Sequence, residues 1–218
     1  MFLECLTHET LICLENISKS KVLEEKGFYL AGGTGLALQL GHRLSEDLDF
    51  FTTQNFSSSE IISRFKEQEV KIIDEAPDTL HLLFKNQKIS FFYYPYPPLY
   101  SFAFFPNCPI ANYLDIATMK LIAISQRGAK KDFIDLYFII TKKNLSLSLL
   151  FTLLEKKYPV KYSKLHILRS LTFFEDAEGD PMPLMNRGTK FTPLAEEEWE
   201  LIKVNLIKIQ KDFLKRNI

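Results

Sequence analysis

The most constraining feature of the sequence is a pair of glycines between a short apolar segment and a predicted helix. Phe28-Tyr-Leu-Ala predicts a strand, Gly32 and Gly33 end it, and the residues from Thr34 to Leu40 predict a helix. Glycines at such a turn let a ligand approach the backbone, and the first turn of a helix offers N–H groups to an anion. Thr34 adds a hydroxyl at the same place. The pattern therefore indicates a site for a phosphate or another anion.

Two aspartates follow twelve residues after Thr34, as Asp47-Leu-Asp49 at the start of a second predicted strand. Residues two apart on a strand project from the same face, so both carboxylates are expected on one side of the sheet. Mg²⁺ is commonly held by one or two carboxylates together with the phosphates of a substrate. An anion site beside such a pair is the arrangement that nucleotidyl transfer needs.

Taken alone, an Asp-x-Asp pair is more often a solvated surface feature or part of a turn. Here the aspartates accompany Leu48, Phe50 and Phe51 in an otherwise apolar strand. A charged group in such surroundings needs a partner or a metal ion. The combination of the two elements favours the functional interpretation.

The order of the predicted elements indicates an α+β protein. The first part holds an amphipathic helix over 7–26, the elements above, a helix capped at Ser57, and three further strands near 70–73, 80–84 and 89–94. After the Pro-rich segment at Tyr94 the periodicity is helical, near 112–126, 130–140, 147–157, 163–174 and 195–215, with a long loop over 175–193. We predict a mixed α/β core with a small mixed sheet over 1–100, and a helical domain over 101–218 that packs on it and completes the nucleotide site.

Composition narrows the class of protein further. The 27 basic and 27 acidic side chains give a net charge of zero, which excludes a globally basic nucleic-acid binder. The start of the chain has no basic segment typical of a secretion signal, and no long uncharged apolar run predicts a membrane span. Three cysteines without Cys-x-x-Cys spacing do not indicate a disulfide framework or a zinc site. We expect a cytoplasmic protein with no membrane partner.

Residues 29–51 resemble the first motif of the abortive-infection toxin nucleotidyltransferases of the AbiEii/AbiGii type, within the DNA polymerase β-like superfamily. They read Tyr-Leu-Ala-Gly-Gly-Thr-Gly-Leu-Ala-Leu-Gln-Leu-Gly-His-Arg-Leu-Ser-Glu-Asp-Leu-Asp-Phe-Phe. A second block, from Asp115 to Tyr137, is similar to the later motifs of that family. The resemblance implies a Mg²⁺-dependent transfer of a nucleoside monophosphate from a nucleoside triphosphate. It also implies a macromolecular acceptor such as a tRNA 3′ end, and a toxin role paired with a cognate antitoxin protein.

The second block carries residues that can act on phosphates. By resemblance, Lys120 and Asp135 correspond to the conserved lysine and aspartate of the family, and both are expected to face the nucleotide. Arg127 is a candidate to grip the triphosphate with two hydrogen bonds, although surface salt bridges are an open alternative for Arg127, Lys130 and Asp132. In the first motif, Arg43 and Ser45 are candidates for phosphate contacts, and each has a structural alternative.

One departure from the superfamily concerns the third metal-binding carboxylate, which usually stands on a later strand. The corresponding strand, Lys88-Ile-Ser-Phe-Phe, offers Ser90 instead, and Asp74 is a candidate substitute. Histidines 8, 81 and 166 are expected to have packing or surface roles. The alternatives left open are a nucleotide-binding module that has lost catalysis and a structural or interaction protein.

The zero net charge conceals a local imbalance. Residues 120–172 contain eleven Lys or Arg against three acids, a surplus of eight that leaves minus eight elsewhere. Solvated helix faces account for part of it. A basic helical half is nevertheless compatible with binding an RNA end.

Overall fold

The computed structural model describes residues 1–65, 70–159 and 162–217. The chain forms two compact units, Met1–Asn112 and Tyr113–Ile218. The first is a mixed α/β unit and the second is almost entirely helical, so the predicted α+β class is confirmed. The division falls after Asn112 rather than at residue 100, because two further short strands extend the sheet of the first unit.

The first unit contains a short 3-10 turn at Leu3–Cys5, four helices and seven strands. The helices are α1 (His8–Lys19), α2 (Val22–Glu25), α3 (Gly32–Leu40) and α4 (Ser58–Ile62). The strands are β1 (Tyr29–Leu30), β2 (Leu48–Thr52), β3 (Val70–Ala76), β4 (Thr79–Phe84), β5 (Gln87–Tyr93), β6 (Ala103–Phe105) and β7 (Cys108–Ile110).

The seven strands form one mixed sheet in the order β3-β4-β5-β2-β1-β7-β6. The pairs β2–β5 and β1–β7 are parallel, and the other neighbours are antiparallel. The β4–β5 hairpin turns at Lys85 and Asn86, both with positive φ, as a two-residue hairpin loop requires. This places β2, which carries the two aspartates, in the interior of the sheet.

One face of this sheet is the hydrophobic core of the unit. Leu48 and Phe50 of β2 are fully buried there, with Leu14 and Ile17 of α1. Ile61 of α4 joins the same cluster, so helices cover this face. Because strand side chains alternate, Asp49 and its neighbours lie on the opposite face.

Two predictions for this unit are corrected by the structure. The helix predicted over 7–26 is broken into α1 and α2, because Lys21 adopts a left-handed conformation with φ of 60°. The segment after Tyr94 was expected only as a Pro-rich connection, but it leads into the β6–β7 hairpin, which pairs with β1.

The second unit contains six helices and a small hairpin among its described residues. The helices are α5 (Tyr113–Arg127), α6 (Lys130–Lys142), α7 (Leu147–Lys157), α8 (Lys164–Ser170), α9 (Glu175–Glu178) and α10 (Glu196–Asn217), and the strands are β8 (Leu184–Asn186) and β9 (Phe191–Pro193). The predicted loop over 175–193 therefore holds α9 and the hairpin. The fully buried Trp199 of α10 lies against Phe133 and Phe174 and anchors the core of the unit.

Within the described ranges, no single helix has both the length and the apolar character needed to cross a membrane. One pair, α6 and α7, bent by 115°, meets the criteria jointly by length and composition.

Candidate active site

The glycine turn between β1 and α3 lies directly against one of the two aspartates. Gly32 has φ of +62°, which favours glycine, and a Cβ atom at this position would lie 2.7 Å from Asp49 Oδ2. The N-cap residue of α3 is Ala31, whose side chain makes no capping hydrogen bond. The start of the helix and the carboxylate therefore share one small region, as the sequence predicts.

Glycine is also required at position 33, because the side chains of Arg43 and Ser45 pack closely against its backbone. A Cβ atom there would collide with the guanidinium group of Arg43 and would lie 3.2 Å from Ser45 Oγ. Both of these side chains are buried, and Arg43 Nη1 also donates to the Leu44 carbonyl over 2.9 Å. The structure thus brings Arg43 and Ser45 to the glycine turn, where the sequence analysis placed them.

Thr34 ties the glycine turn to the start of β2. Its buried hydroxyl lies 2.9 Å from Ser45 Oγ and hydrogen-bonds to the backbone carbonyl of Asp47. The predicted anion contact of this hydroxyl is therefore accompanied by a structural role, because the bond determines where the strand with the aspartates begins. That second role was not apparent from the sequence.

The two aspartates occupy the half-buried side of β2. Asp47 immediately precedes the strand, and Asp49 alternates with the buried Leu48 and Phe50. The donors they offer are hard carboxylate oxygens, which suit Mg²⁺. Among the residues that the structure describes, no group of three or more His, Cys, Asp or Glu has the arrangement of a metal site. Two carboxylates together with substrate phosphates are a donor set that can hold one such ion.

A row of polar side chains crosses the sheet beside Asp49. In the parallel pair β2–β5, Asp49 is in register with Ser90, so serine stands where the superfamily's third carboxylate was expected. Ser90 is in register with His81 of β4, and His81 with Asp74 of β3. His81 Nδ1 lies 2.9 Å from Ser90 Oγ.

His81 joins this row, although the sequence analysis predicts only a packing or surface role for it. A signal for it existed, because the two-residue turn at Lys85–Asn86 pairs Phe84 with Gln87 and, counting back, His81 with Ser90. The expected packing role of His81 is also present, since its ring lies edge-on against Phe92 at 5.4 Å.

The second motif forms a buried ionic cluster in the helical unit. Lys120 Nζ of α5 lies 2.7 Å from Asp132 Oδ1 and 2.6 Å from Asp135 Oδ2 of α6, and both carboxylates are fully buried. Arg127 binds Asp132 through Nε at 2.8 Å and Nη2 at 3.1 Å. Burial opposes ionisation of Asp132, yet Lys120 and Arg127 hold the pKa of that carboxyl below its usual value.

The other basic residues of this motif are separated by the fold. Lys130 is buried, and its ammonium donates to the Asp180 carbonyl over 2.8 Å, whereas Lys131 is exposed. Lys120, Arg127 and Asp132 therefore act as one cluster, and Lys130 belongs to the packing of the helical unit. The open alternative of a surface salt bridge does not apply to Lys130, because its ammonium group is buried and donates to backbone carbonyls.

Comparison with known protein families shows which enzyme family the chain belongs to. The model of the nucleotidyl transferase AbiEii toxin family, of the type IV toxin–antitoxin system, matches residues 17–94 and 92–212. The chain belongs to this family. Its members are nucleotidyltransferases, so the predicted resemblance and enzyme class are confirmed.

The chain is also similar to individual proteins, one in sequence and two in fold. The chain is 43% identical over 162 residues to an uncharacterized protein, aq_aa25, of Aquifex aeolicus, covering 69% of this chain and 75% of the relative. Its fold is similar to a putative nucleotidyltransferase of H. pylori, at 18% identity and a TM-score of 0.55 over 96% of this chain and 98% of that one. It is also similar to MenT4, a nucleotidyltransferase toxin of Mycobacterium tuberculosis, at 14% identity and a TM-score of 0.54 over 93% and 83% of the two chains.

Proposed function

We propose that this nucleotidyltransferase moves a nucleoside monophosphate from a nucleoside triphosphate to a hydroxyl of a cellular macromolecule, in a Mg²⁺-dependent reaction. The observation that carries the proposal is the close packing of Asp49 against Gly32, where an added Cβ atom would lie 2.7 Å from Asp49 Oδ2. This closeness supports the proposal, because the start of a helix attracts phosphate and a carboxylate pair suits Mg²⁺.

In the proposed reaction, the acceptor oxygen bonds to the α-phosphorus as the bond from that phosphorus to the bridging oxygen breaks. Pyrophosphate leaves with the bonding electrons, and the acceptor hydroxyl gives up its proton. The backbone N–H groups at Gly32 and Gly33 bind the terminal phosphates, and Arg43 places positive charge at the same turn. Asp47 and Asp49 would hold Mg²⁺, which supplies charge compensation on the phosphate oxygens.

The roles of Lys120 and Asp135 remain predictions from the resemblance. Lys120 is the cation shared by Asp132 and Asp135, so replacing it would leave two buried carboxylates short of a partner. Asp135→Asn is the milder change, because Asp132 still pairs with both Lys120 and Arg127. We expect it to lower the transfer rate while the unit stays folded.

The proposed biological setting is a cytoplasmic toxin that modifies an RNA, such as a tRNA at its 3′ end, and is neutralised by a cognate antitoxin. The family name supports the toxin role. The exposed basic residues of the helical unit support an RNA acceptor, since phosphate contacts dominate RNA affinity.

A second candidate is a nucleotide-binding module without transfer activity. The specific observation in its favour is Ser90, which stands beside Asp49 where the wider superfamily has a third carboxylate. Such a protein would bind a nucleoside triphosphate with Mg²⁺ and transfer nothing.

The deciding experiment incubates the full chain with each α-labelled nucleoside triphosphate, Mg²⁺, and total cellular RNA and protein. We expect the wild type to label an acceptor with one nucleotide, and Asp49→Asn to abolish the label. Glu15→Ala, which removes an exposed acid of α1, is the matched control and should label normally.

Thermal shift measurements separate the two candidates. A Mg²⁺-dependent rise in melting temperature with a triphosphate, without any labelling, identifies the binding module. Equal labelling by the wild type and Asp49→Asn, or neither labelling nor a thermal shift, rejects the proposal.

A further inference from the structure

A hydrogen-bonded serine–histidine pair lies on the same sheet face as the two aspartates. The registered pairs Asp49–Ser90 and Ser90–His81 place three side chains in one row across β2, β5 and β4. Phe51 and Phe92 follow Asp49 and Ser90 by two positions and therefore lie on the same face of the sheet. Their ring centroids are 5.0 Å apart, which confirms that β2 and β5 present this face on a common side. Ser90 is only 2% exposed, and its hydroxyl is 2.9 Å from His81 Nδ1.

The pair is not explained by the hydrophobic core. The core face of the same strands is filled by Leu82, Ile89 and Phe91, which are fully buried. A buried hydroxyl costs free energy unless it is hydrogen-bonded, and apolar residues would fill the adjacent face without that requirement. The pair stands instead beside Asp49, where the reaction described above releases a proton.

We propose that Ser90 and His81 form the proton-accepting relay for the acceptor hydroxyl, in the position where related folds use a third carboxylate. The inference rests on the proposed function, and it assigns a role to residues that the family motifs do not include. Ser90 is the group beside Asp49, and His81 acts through it.

The relay conserves protons and electrons. With the neutral imidazole carrying its hydrogen on Nε2, Nδ1 accepts the Ser90 hydroxyl proton. Ser90 Oγ takes the proton of the acceptor hydroxyl as that oxygen bonds to the α-phosphorus. Pyrophosphate leaves with the electrons of the broken P–O bond, and the resulting imidazolium returns its proton to solvent.

Charged groups around His81 come from three strands. Asp74 of β3 is in register with His81, Lys88 lies on the same face of β5 as Ser90, and Asp49 lies one strand beyond Ser90. Two acids and one lysine therefore lie around the imidazole, on β3, β2 and β5.

The first test replaces His81 by glutamine, which keeps a hydrogen-bonding side chain but cannot accept the proton. We expect His81→Gln and Ser90→Ala to lower kcat by about 100-fold or more. The affinity for the triphosphate with Mg²⁺, measured by calorimetry, should stay within about twofold of the wild type, because binding belongs to other residues. The control His8→Gln, at an exposed position of α1, should change neither value.

The second test restores a carboxylate. In the double variant Ser90→Asp, His81→Gln, the new carboxylate takes the place of the relay, so we expect at least a tenfold recovery of kcat over His81→Gln. Its pH–rate profile should extend to lower pH than that of the wild type, because a carboxylate stays ionised there. A purely structural role of His81 would produce neither effect.

The outcomes distinguish this inference from the function on which it rests. If the wild type transfers a nucleotide, Asp49→Asn does not, and His81→Gln retains wild-type kcat, the relay is refuted while the function stands. A loss of triphosphate affinity in His81→Gln equal to its loss of rate also refutes the relay. If the wild type itself transfers nothing, the proposed function fails first.

Discussion

At the scale of single residues, the site depends on two glycines for different reasons. Gly32 needs both its positive φ and the absence of a Cβ atom, since Asp49 Oδ2 fills that space. Gly33 has ordinary backbone geometry and needs only the space that Arg43 and Ser45 occupy. The need for glycine at both positions therefore comes from side chains that lie later in the chain.

Gly32→Ala should disable the site, and Gly188→Ala is its matched control. Both glycines have positive φ, but a Cβ atom at Gly188 would meet nothing within 4 Å. We expect each variant to lose about 1–2 kcal/mol of unfolding free energy in urea. Only Gly32→Ala should also lose about tenfold or more in affinity for a triphosphate with Mg²⁺, because its methyl group displaces Asp49. Equal affinity in the two variants would contradict the proposed role of the turn.

At the scale of secondary-structure elements, α4 shows a local pattern that the sequence predicts correctly. Ser57 and Glu60 form a capping box, in which Ser57 N donates to Glu60 Oε2 over 2.8 Å and Glu60 N donates to Ser57 Oγ over 3.3 Å. Lys26 Nζ adds an ion pair with Glu60 at 2.9 Å. Such a box needs only residues three apart, which is why it can be predicted.

The capping box predicts a titration at low pH. The backbone N–H of Ser57 and then Lys26 lower the pKa of Glu60 from 4.5 to about 2. A depressed carboxyl pKa stabilises the fold above the unfolded value, so this contribution is complete above pH 4.5 and is lost as the pH falls toward 2. NMR should show the Ser57 amide shifting with a midpoint near 2. A midpoint that does not rise in Lys26→Met would contradict the assigned cause.

The contact between α5 and α7 includes a buried ion pair. Lys157 Nζ lies 2.5 Å from Asp115 Oδ1, and both side chains are almost completely buried. Burial lowers the pKa of Lys157 and Asp115 partly offsets this. The pair therefore links two helices at a cost in desolvation.

Removing one partner of this ion pair should lower the free energy of unfolding more than replacing both partners by apolar residues. We expect Asp115→Asn to lose about 3–5 kcal/mol of unfolding free energy, because an ammonium is left buried without its counter-charge. The double variant Asp115→Leu, Lys157→Met should recover most of that loss in urea titrations. The loss in Asp115→Asn should shrink as the pH rises toward the ordinary lysine pKa. Below that pKa the unfolded variant binds more protons than the folded variant, so its stability rises with pH. Equal losses in the single and double variants would refute this account.

For the molecule as a whole, most of the surplus positive charge of residues 120–172 remains exposed in the folded chain. Lys120, Lys130 and Lys157 are buried together with the acids Asp132 and Asp135. Lys161 lies outside the described residues. The remaining basic residues of 120–172 are all exposed, whereas Glu155 is the one exposed acid in the described part of this range. These basic residues are Arg127, Lys131, Lys142, Lys143, Lys156, Lys164 and Arg169.

This distribution predicts salt-sensitive binding of the proposed RNA acceptor. For Lys142→Gln with Lys143→Gln, we expect the slope of log affinity against log salt to decrease in magnitude by about 1.4, from two lost phosphate contacts. The control pair Lys19→Gln with Lys71→Gln changes the net charge equally but alters exposed residues of the other unit. Filter binding over a salt series gives both slopes. Identical slopes in the two double variants would mean that net charge alone governs binding.

The class of the fold, the family and the candidate residues of the first motif could be predicted from the sequence. These depend on local signals: alternation in strands, helical periodicity, glycines at a turn and aspartates two apart. It also contained the register of His81 with Ser90, because a two-residue hairpin turn determines pairing over a few residues.

Only the tertiary structure decided what lies beside these residues. The parallel pairing of β2 with β5 joins Asp49 to Ser90 across 41 positions of sequence, and the helical unit turns Lys130 inward while it groups Lys120 with Asp132 and Asp135. Such contacts arise from the packing of distant segments, which local periodicity does not encode. The spacing of residues therefore predicts which groups could act on a nucleotide, and the packing of distant segments determines which side chains stand next to them.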